Sequence, residues 1–231
     1  IMTICILGNS LTALTLAKTL VNKNIYVDLL ASKKENKLSH TRTLGISKSN
    51  SNFFNESILN IEKLFWRLKN IEIYTENLKK EKLIKFENID DRLFSIIKNH
   101  ELYRNLKIDL SKNKYFKKKL NNNKNLFFIK NYSLIINCDY SHPITKKYFS
   151  KKVIKKYDSF AYTTIIKHEK ILNDTAIQIF TKKGPLAFLP ISSDETSVVY
   201  SVHNSSLDKN DKIERLINKY NFKYKIKKIK K

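Results

Sequence analysis

The hydrophobic and polar positions change period twice near the start of the chain. A short apolar run from Thr3 to Leu7 is followed by Gly8, and apolar residues then recur at helical spacing from Leu11 to Asn22. A second apolar run, Ile25 to Leu30, comes after a polar turn. A strand, a turn, a helix and a second strand in this order predict a parallel β–α–β unit at the N-terminus.

The middle of the chain mixes helical spacing with short strand-like runs. Apolar residues predict one helix from Ser47 to Phe65 and another from Phe94 to Leu110. Ile71–Thr75 and Leu83–Phe86 flank a Lys-rich stretch and predict a hairpin. The other predictions for this region are a surface loop over residues 111–125 and short strands at Phe127–Ile129 and Leu134–Ile136.

Beyond Ala161 the pattern becomes a series of short apolar runs without helices between them. Successive strands of this kind predict a mostly antiparallel sheet, so the fold class is α/β with an antiparallel part behind it. The end of the chain predicts a helix-like segment and a basic tail over Ile213–Lys231. The predicted strands are Tyr162–Lys167, Ala176–Phe180, Leu186–Leu189 and Val198–Val202.

The formal net charge of +24 is large for 231 residues and is typical of proteins that bind nucleic acid. The kind of basic residue argues against that class. Of the 45 basic residues, 40 are lysine and five are arginine, whereas arginine is the side chain that contacts phosphates and base edges in a bidentate way. A solvated lysine surface that reflects compositional bias is the favoured interpretation.

Cysteine use and hydropathy favour a reduced, cytoplasmic protein. Cys5 and Cys138 lie in separate apolar runs, without metal-ligand spacing and without a disulfide framework. No basic region precedes the apolar residues 4–21, so a signal peptide is not predicted. No apolar run is long enough to predict a transmembrane helix.

The turn after the first strand carries candidate chemistry. Gly8, Ser10 and Ala13 fit the spacing of the dinucleotide-binding pattern G-x-G-x-x-A, with Ser in place of the second Gly. In that pattern the helix N-terminus holds a diphosphate, although an ordinary strand-to-helix turn has the same local appearance. An acidic residue is expected just past the second strand to bind ribose. Asp28 lies inside that strand instead, and Ala31 occupies the position after it.

Three later segments match one enzyme family in the same order along the chain. Arg42–Ser47 (RTLGIS) resembles the family's R-x-(I/L)-(A/G)-(I/L)-S segment, and Ile135–Ser141 resembles its strand followed by A-D-G-x-x-S. Phe180–Ile191 resembles its F-x-x-x-G-P-x-A-x-L-P-L segment. With the N-terminal unit, these segments resemble the FAD-dependent aromatic hydroxylases of ubiquinone biosynthesis, the 2-polyprenyl-6-methoxyphenol hydroxylase family.

The resemblance implies roles for particular residues. Tyr140 stands where the family has Gly, a departure that restricts the backbone beside the cofactor. No side chain is implied as a catalytic nucleophile, because the flavin performs the chemistry. The implied cofactor-binding residues are Gly8, Ser10, Ala13, Arg42 and Asp139, and the implied substrate-pocket residues are Gly184, Pro185, Leu186, Phe188 and Pro190.

The same resemblance implies an activity and partners. It implies an FAD-dependent monooxygenase that uses NAD(P)H as co-substrate and hydroxylates a polyprenylated phenol. Such a substrate implies contact with a membrane surface or a biosynthetic complex, with the protein peripheral at the inner membrane surface. Two other interpretations stay open: a non-catalytic remnant of this fold, and a basic nucleic-acid-binding protein.

The predicted domains alternate along the chain. Residues 1–66 and 91–152 are expected to form an incomplete Rossmann-like FAD-binding domain, with residues 67–90 as a hairpin of the substrate domain. Residues 153–231 are expected to form the antiparallel substrate domain and the basic tail. The family carries a later G-D-A-x-H segment, and no Gly follows Gly184, so the chain is expected to be truncated at its C-terminus.

Overall fold

The computed structural model describes residues 2–31, 39–76, 81–87, 94–120, 130–149, 151, 153–203 and 213–230. The chain divides into two compact units. Unit 1 comprises Ile1–Leu38, Asn52–Ile61 and His100–Ile154, and unit 2 comprises Ser39–Ser51, Glu62–Asn99 and Lys155–Lys231.

The described residues form helices and strands in the following order. The first half contains β1 (Thr3–Leu7), α1 (Leu11–Val21), β2 (Tyr26–Ala31), β3 (Thr43–Ser47), α2 (Lys48–Ser57), a 3₁₀ turn (Glu62–Leu64), β4 (Trp66–Leu68), β5 (Asn70–Thr75), β6 (Lys82–Glu87), β7 (Phe94–Lys98) and α3 (Asn99–Ser111). The second half contains β8 (Phe116–Leu120), β9 (Leu134–Asn137), α4 (Pro143–Tyr148), β10 (Ser159–His168), β11 (Thr175–Thr181), β12 (Gly184–Pro190), β13 (Glu195–His203), α5 (Ile213–Tyr220) and β14 (Ile226–Ile229).

Unit 1 is built on a four-stranded parallel sheet. The strand order is β8–β2–β1–β9, and β1 pairs with β2 and β9 in parallel. Successive residues of β1 and β2 are buried whichever face they point to, which explains their unbroken apolar runs. Helix α1 buries Ala13, Leu14, Ala17 and Val21. The predicted β–α–β opening is confirmed.

Three predictions in the middle of the chain are wrong in whole or in part. The segment predicted as one helix from Ser47 to Phe65 is α-helical only over Lys48–Ser57, because Ser47 ends β3 and Glu62–Leu64 forms a separate 3₁₀ turn. The segment predicted as one helix from Phe94 to Leu110 begins as strand β7, because Phe94–Lys98 pairs with β3 and β4. The segment predicted as a loop over residues 111–125 contains β8, which extends the parallel sheet beside β2. Lys117, Lys118 and Lys119 on β8 are exposed, as is common on a sheet edge.

Unit 2 is built on a seven-stranded sheet with the order β14–β10–β13–β12–β11–β5–β6. The predicted hairpin is confirmed: β5 pairs with β6 and joins the later strands by pairing in parallel with β11. The predicted antiparallel sheet of the later strands is confirmed as well, since β10 pairs with β13, β11 with β12, and β12 with β13, all antiparallel. A separate three-stranded sheet has the order β3–β7–β4.

The two faces of the seven-stranded sheet pack differently. One face forms a core with α5 and the segment after it, in which Leu186, Phe188, Val198, Ile217 and Tyr224 are buried. The other face packs at one end against Leu68 and Ile96 of the small sheet. Because side chains alternate along a strand, adjacent residues of β11 and β12 serve opposite faces.

The predicted basic tail is wrong in part. Ile213–Tyr220 is helical, but Ile226–Ile229 forms β14 and pairs antiparallel with β10, so this basic stretch belongs to the sheet. The predicted strand Leu134–Ile136 is confirmed as part of β9. The predicted strand Phe127–Ile129 lies outside the described residues. Among the described helices, none is long and apolar enough to cross a membrane.

The core of unit 2 contains a network of hydrogen-bonded, buried polar side chains. His168 accepts a hydrogen bond from Thr196 Oγ1 at 2.9 Å when its other ring nitrogen donates to the Glu169 carbonyl at 2.7 Å. The Asn173 amide donates to Thr196 Oγ1, and its oxygen accepts from the Tyr224 hydroxyl. Each of these buried polar groups has a partner, which is the condition for such a network to stabilise a core.

Candidate functional site

The turn between β1 and α1 requires glycine at position 8. Gly8 has a φ of +108°, which L side chains rarely adopt, and its N–H donates to the Leu30 carbonyl at 2.9 Å. A Cβ placed on Gly8 would lie 3.3 Å from Asp139 Cβ and 3.3 Å from the Cys138 carbonyl carbon. The turn therefore brings the ends of β1 and β9 together.

Helix α1 presents its N-terminus directly after this turn. Ser10 is the N-cap, and its hydroxyl accepts a hydrogen bond from the Ala13 N–H at 3.3 Å. The first-turn N–H groups of Leu11 and Thr12 have no partner within an α-helix, and the helix dipole makes this end favourable for an anion. Ala13 is fully buried, so its small side chain lets α1 pack closely on the sheet.

Asp139 lies beside the same turn. The Cys138 N–H donates to the Leu7 carbonyl at 2.9 Å, which fixes this segment at the carboxyl end of β1. Asp139 Oδ1 accepts hydrogen bonds from the Ser141 N–H at 3.0 Å and the Ser141 hydroxyl at 2.6 Å. The carboxylate is thus oriented by its own turn, next to Gly8, where parallel sheets bind their ligands.

Tyr140 and His142 shape the outer side of this site. Tyr140 has 80% of its surface exposed, so it takes no part in the core of unit 1. His142 caps α4 through Nδ1, which accepts from the Ile144 N–H at 3.2 Å. Burial lowers the pKa of His142, although the nearby Asp139 charge opposes this effect. His142 is therefore placed to serve as a neutral hydrogen-bond acceptor at the helix start.

Asp28 is engaged away from the strand end. Its Oδ2 accepts hydrogen bonds from Lys119 Nζ at 2.5 Å and from the Tyr132 hydroxyl at 2.9 Å. The hydrogen bond with Asp28 is the main cause of the raised pKa of Lys119. Ala31, at the end of β2, is fully buried. The sequence expectation of a ribose-binding acid past this strand is thus met by neither residue.

A cavity of about 220 Å³ opens beside Asn9, the residue between Gly8 and Ser10. Its apolar walls come from Leu14 of α1 and Leu29 of β2. Lysines supply part of the remaining lining. The other lining residues are Tyr103, Lys107, Ser111, Phe116 and Lys118.

Arg42 belongs to unit 2 and immediately precedes β3. It is exposed, and its carbonyl oxygen accepts a hydrogen bond from the Asn99 N–H at 3.1 Å. Gly45, in the same motif, lies against the ring of Phe94 on the paired strand. The contact of Arg42 with a flavin stays a prediction.

The five predicted substrate-pocket residues all lie on β12, and the structure separates them by face. Leu186 and Phe188 are buried in the core that contains α5, with 0% and 2% of their surface exposed. Pro185 pairs with Phe180 and lies on the opposite face. Gly184 makes the β11–β12 turn with a φ of +146°. A substrate-contacting role for this strand stays a prediction, and the alternation favours Pro185 over Leu186 and Phe188.

Sequence reasoning missed an apolar strip on that opposite face, formed by Ile84, Phe86, Phe180 and Pro185. Ile84 and Phe86 of β6, and Phe180 of β11, keep 46%, 49% and 45% of their surfaces exposed. Strand registers place the four on one face, which continues towards the core at the small sheet. Alternation along β12 places Pro185 on the opposite face from Leu186, and the β11–β12 turn pairs Pro185 with Phe180. These two residues of the strip could therefore have been predicted from the sequence.

Comparison with known proteins gives structural neighbours only. No protein-family model matches the chain, and no curated protein is similar to it in sequence. PqsL from Pseudomonas aeruginosa, described as a probable FAD-dependent monooxygenase, is 12% identical with a TM-score of 0.69 over 94% of this chain and 66% of its own.

Two further neighbours come from other species. The p-nitrophenol 4-monooxygenase PnpA from Pseudomonas putida is 11% identical with a TM-score of 0.69 over 100% of this chain and 68% of its own. HpxO from Klebsiella pneumoniae, complexed with FAD and uric acid, is 12% identical with a TM-score of 0.67 over 91% of this chain and 58% of its own. This chain thus has the fold of these proteins over roughly two thirds of their length.

Proposed function

We propose that this chain is part of an FAD-dependent monooxygenase that hydroxylates an aromatic ring. The observation that carries the proposal is the Gly8 turn, which sets the N-terminus of α1 beside Asp139 at the carboxyl end of a parallel sheet. The fold of the neighbouring structures supports the same reading.

The residues present fit the diphosphate end of the cofactor. A side chain at position 8 would approach Asp139, so glycine keeps the turn compact beneath a ligand. The Leu11 and Thr12 N–H groups and the α1 dipole would hold the phosphates. Asp139 would accept a hydrogen bond from a cofactor hydroxyl. Bound FAD would supply the redox chemistry of hydroxylation, with NAD(P)H as reductant and dioxygen as oxidant.

The finer substrate proposal is a polyprenylated phenol, the substrate class of ubiquinone biosynthesis. The supporting observation in unit 2 is the apolar strip, where a ring would contact Phe180 and Pro185 and a hydrocarbon tail would extend along Ile84 and Phe86. Aromatic and aliphatic surfaces of this kind bind such ligands through burial of apolar area.

The cofactor proposal is tested with ADP, the part of FAD that the Gly8 turn would bind. We expect calorimetry to detect ADP binding to the 231-residue chain, and Gly8→Ala to weaken it by roughly ten-fold or more because the strained turn displaces the α1 N–H groups. Lys112→Ala, an exposed residue of unit 1, is the matched control and should bind ADP like the parent. If the chain does not bind ADP, the result would favour the interpretation that it is a non-catalytic remnant of this fold.

The Arg42 prediction uses FAD itself. Arg42→Ala should lower flavin occupancy, measured by the absorbance of purified protein after incubation with FAD, while leaving ADP affinity unchanged. Lys112→Ala is the control here as well and should keep the flavin occupancy of the parent chain. Equal flavin occupancy in the parent and in Arg42→Ala would remove Arg42 from the proposed site.

The substrate class is tested by comparing a phenol that carries an isoprenoid tail with the same phenol without it. Ile84→Ser combined with Phe86→Ser should weaken binding of the tailed phenol by about ten-fold, because two apolar contacts with the tail are lost. The untailed phenol should lose less. Leu172→Ser removes an exposed leucine elsewhere in unit 2 and should change neither. Equal losses for both phenols would exclude the strip as the site of the tail.

A further inference from the structure

The segment from Lys146 to Ile154 in unit 1 is described at residues 146–149, 151, 153 and 154. Its apolar side chains are not deeply buried by any described residue. Tyr148 and Phe149 keep 56% and 63% of their surfaces exposed, at and just after the end of α4. Val153 and Ile154 keep 98% and 68%. Exposed aliphatic and aromatic groups that follow one another this closely mark an interaction surface.

Lysines alternate with these apolar side chains. Lys146, Lys147 and Lys151 are exposed, and residues 146–154 contain no acidic residue. Lys147 Nζ lies 5.3 Å from the centre of the Tyr148 ring, so charge and aromatic surface share the same site. The partner must therefore offer negative charge and apolar material together.

We propose that this segment, called here the α4 segment, binds the surface of an anionic lipid bilayer. Lipid headgroups supply the negative charge, and each nearby lysine adds attraction at such a surface. Tyr148 and Phe149 suit the headgroup level, and Val153 and Ile154 enter the acyl boundary. The proposal is independent of the bound cofactor.

Nucleic acid is the competing partner, and the α4 segment favours lipid. It contains lysines and no arginine, whereas arginine gives bidentate phosphate contacts. Val153 and Ile154 have no planar surface on which a base could stack, and they are the two most exposed of the four apolar residues of this segment. Aliphatic groups at full exposure are stabilised by transfer into lipid.

The first experiment is co-sedimentation of the 231-residue chain with vesicles. We expect the chain to sediment with phosphatidylcholine vesicles that contain phosphatidylglycerol, and not with phosphatidylcholine alone. Lys146→Gln with Lys147→Gln should lower the partition coefficient by about five-fold per lysine. Val153→Ser with Ile154→Ser should lower it by roughly ten-fold.

Matched variants separate the α4 segment from the general charge of the protein. Lys227→Gln with Lys228→Gln makes the same charge change on the exposed positions of β14, and Leu172→Ser removes an exposed leucine elsewhere. Both should bind vesicles like the parent. Equal losses in these controls, or no sedimentation with anionic vesicles, would overturn the proposal. Circular dichroism of every variant confirms that the fold is retained.

A second readout reports insertion directly. Phe149→Trp should give a blue-shifted emission on addition of anionic vesicles, with the parent chain as the blank for the natural Trp66. An unshifted emission would overturn insertion. Duplex DNA is titrated at the same salt concentration, and a DNA affinity that falls with Lys146→Gln and Lys147→Gln while vesicle binding does not would assign the segment to nucleic acid instead.

Discussion

Two glycine turns, one in each unit, share a backbone conformation and differ in what surrounds them. Gly8 in unit 1 and Gly184 in unit 2 both have positive φ, at +108° and +146°. A Cβ on Gly8 would meet its nearest atoms at 3.3 Å, whereas a Cβ on Gly184 would lie 2.0 Å from the Ser201 carbonyl oxygen. The first contact is tight, and the second is impossible without moving the backbone.

This difference shows that a glycine in a sequence motif can be required by the packing of the fold or by the shape of a binding site. At Gly184 the requirement comes from the sheet itself, because Ser201 belongs to β13 and the turn is further held by Thr181, whose hydroxyl donates to the Gly184 carbonyl at 2.7 Å. At Gly8 the turn leads into a capped helix N-terminus. Both glycines lie in segments that resemble one family, yet the surroundings of Gly184 account for it by folding alone.

Substitution of the glycine in unit 2 is expected to cause the largest loss of stability. Gly184→Ala should lower the free energy of unfolding by roughly 3 kcal/mol or more, since strain and a backbone clash act together. Gly45→Ala is the matched control in the same unit, because its clash is with the Phe94 ring, which can move, and it should cost less. Urea denaturation measures both. A Gly184→Ala midpoint no lower than that of Gly45→Ala would contradict the close packing at Ser201.

A smaller effect is expected in unit 1. Gly8→Ala should lower the free energy of unfolding by about 1–2 kcal/mol, because only the strained φ and a tight contact must be accommodated. The same urea experiment compares it with Gly184→Ala. If Gly8→Ala proved the more destabilising change, then the turn at Gly8 would be structural in the same sense as that at Gly184.

The sequence predicted those parts of the fold whose pattern is set locally. Thr3–Leu7 and Tyr26–Ala31 are buried on both faces, so their apolar runs identified them as strands. The hairpin of β5 and β6 was also found, since each strand is bounded by polar residues. The Gly8 turn, with Ser10 and Ala13, was found because glycine and small residues at fixed spacing are visible in the sequence.

The sequence failed where a distant partner decides the structure. Phe116–Leu120 contains three lysines and looks like a loop, but β2 offers it parallel hydrogen bonds at the sheet edge. Ile226–Ile229 becomes a strand in the same way, through β10. The apolar strip was missed because β6 and β11 are far apart in sequence and meet only through β5.

The smallest expected effect on stability comes from a buried ionisable group in the parallel sheet of unit 1. It extends the comparison of the two units from their glycine turns to their cores. In unit 2 the buried His168, Thr196 and Asn173 pair with one another. In unit 1 the buried Cys5 lies near the Asp28 carboxylate, and burial, followed by the charge of Asp28, raises the pKa of its thiol from 9.0 to about 12. Ionisation of Cys5 should therefore destabilise the core of unit 1 at alkaline pH.

The direction of that sensitivity follows from proton binding. Above pH 9.0 the unfolded chain loses the Cys5 proton, while the folded chain keeps it until about pH 12. The unfolded state then binds fewer protons, so the contribution of Cys5 is complete below pH 9.0 and the free energy of unfolding falls as pH rises, by on the order of 1 kcal/mol one unit above the ordinary value. Cys5→Ala should make this fall shallower in urea titrations across the window, while Cys138→Ala, whose half-buried thiol has a smaller rise in pKa from burial, should alter it less. An unchanged slope in Cys5→Ala would mean that the thiol does not ionise differently in the folded and unfolded states.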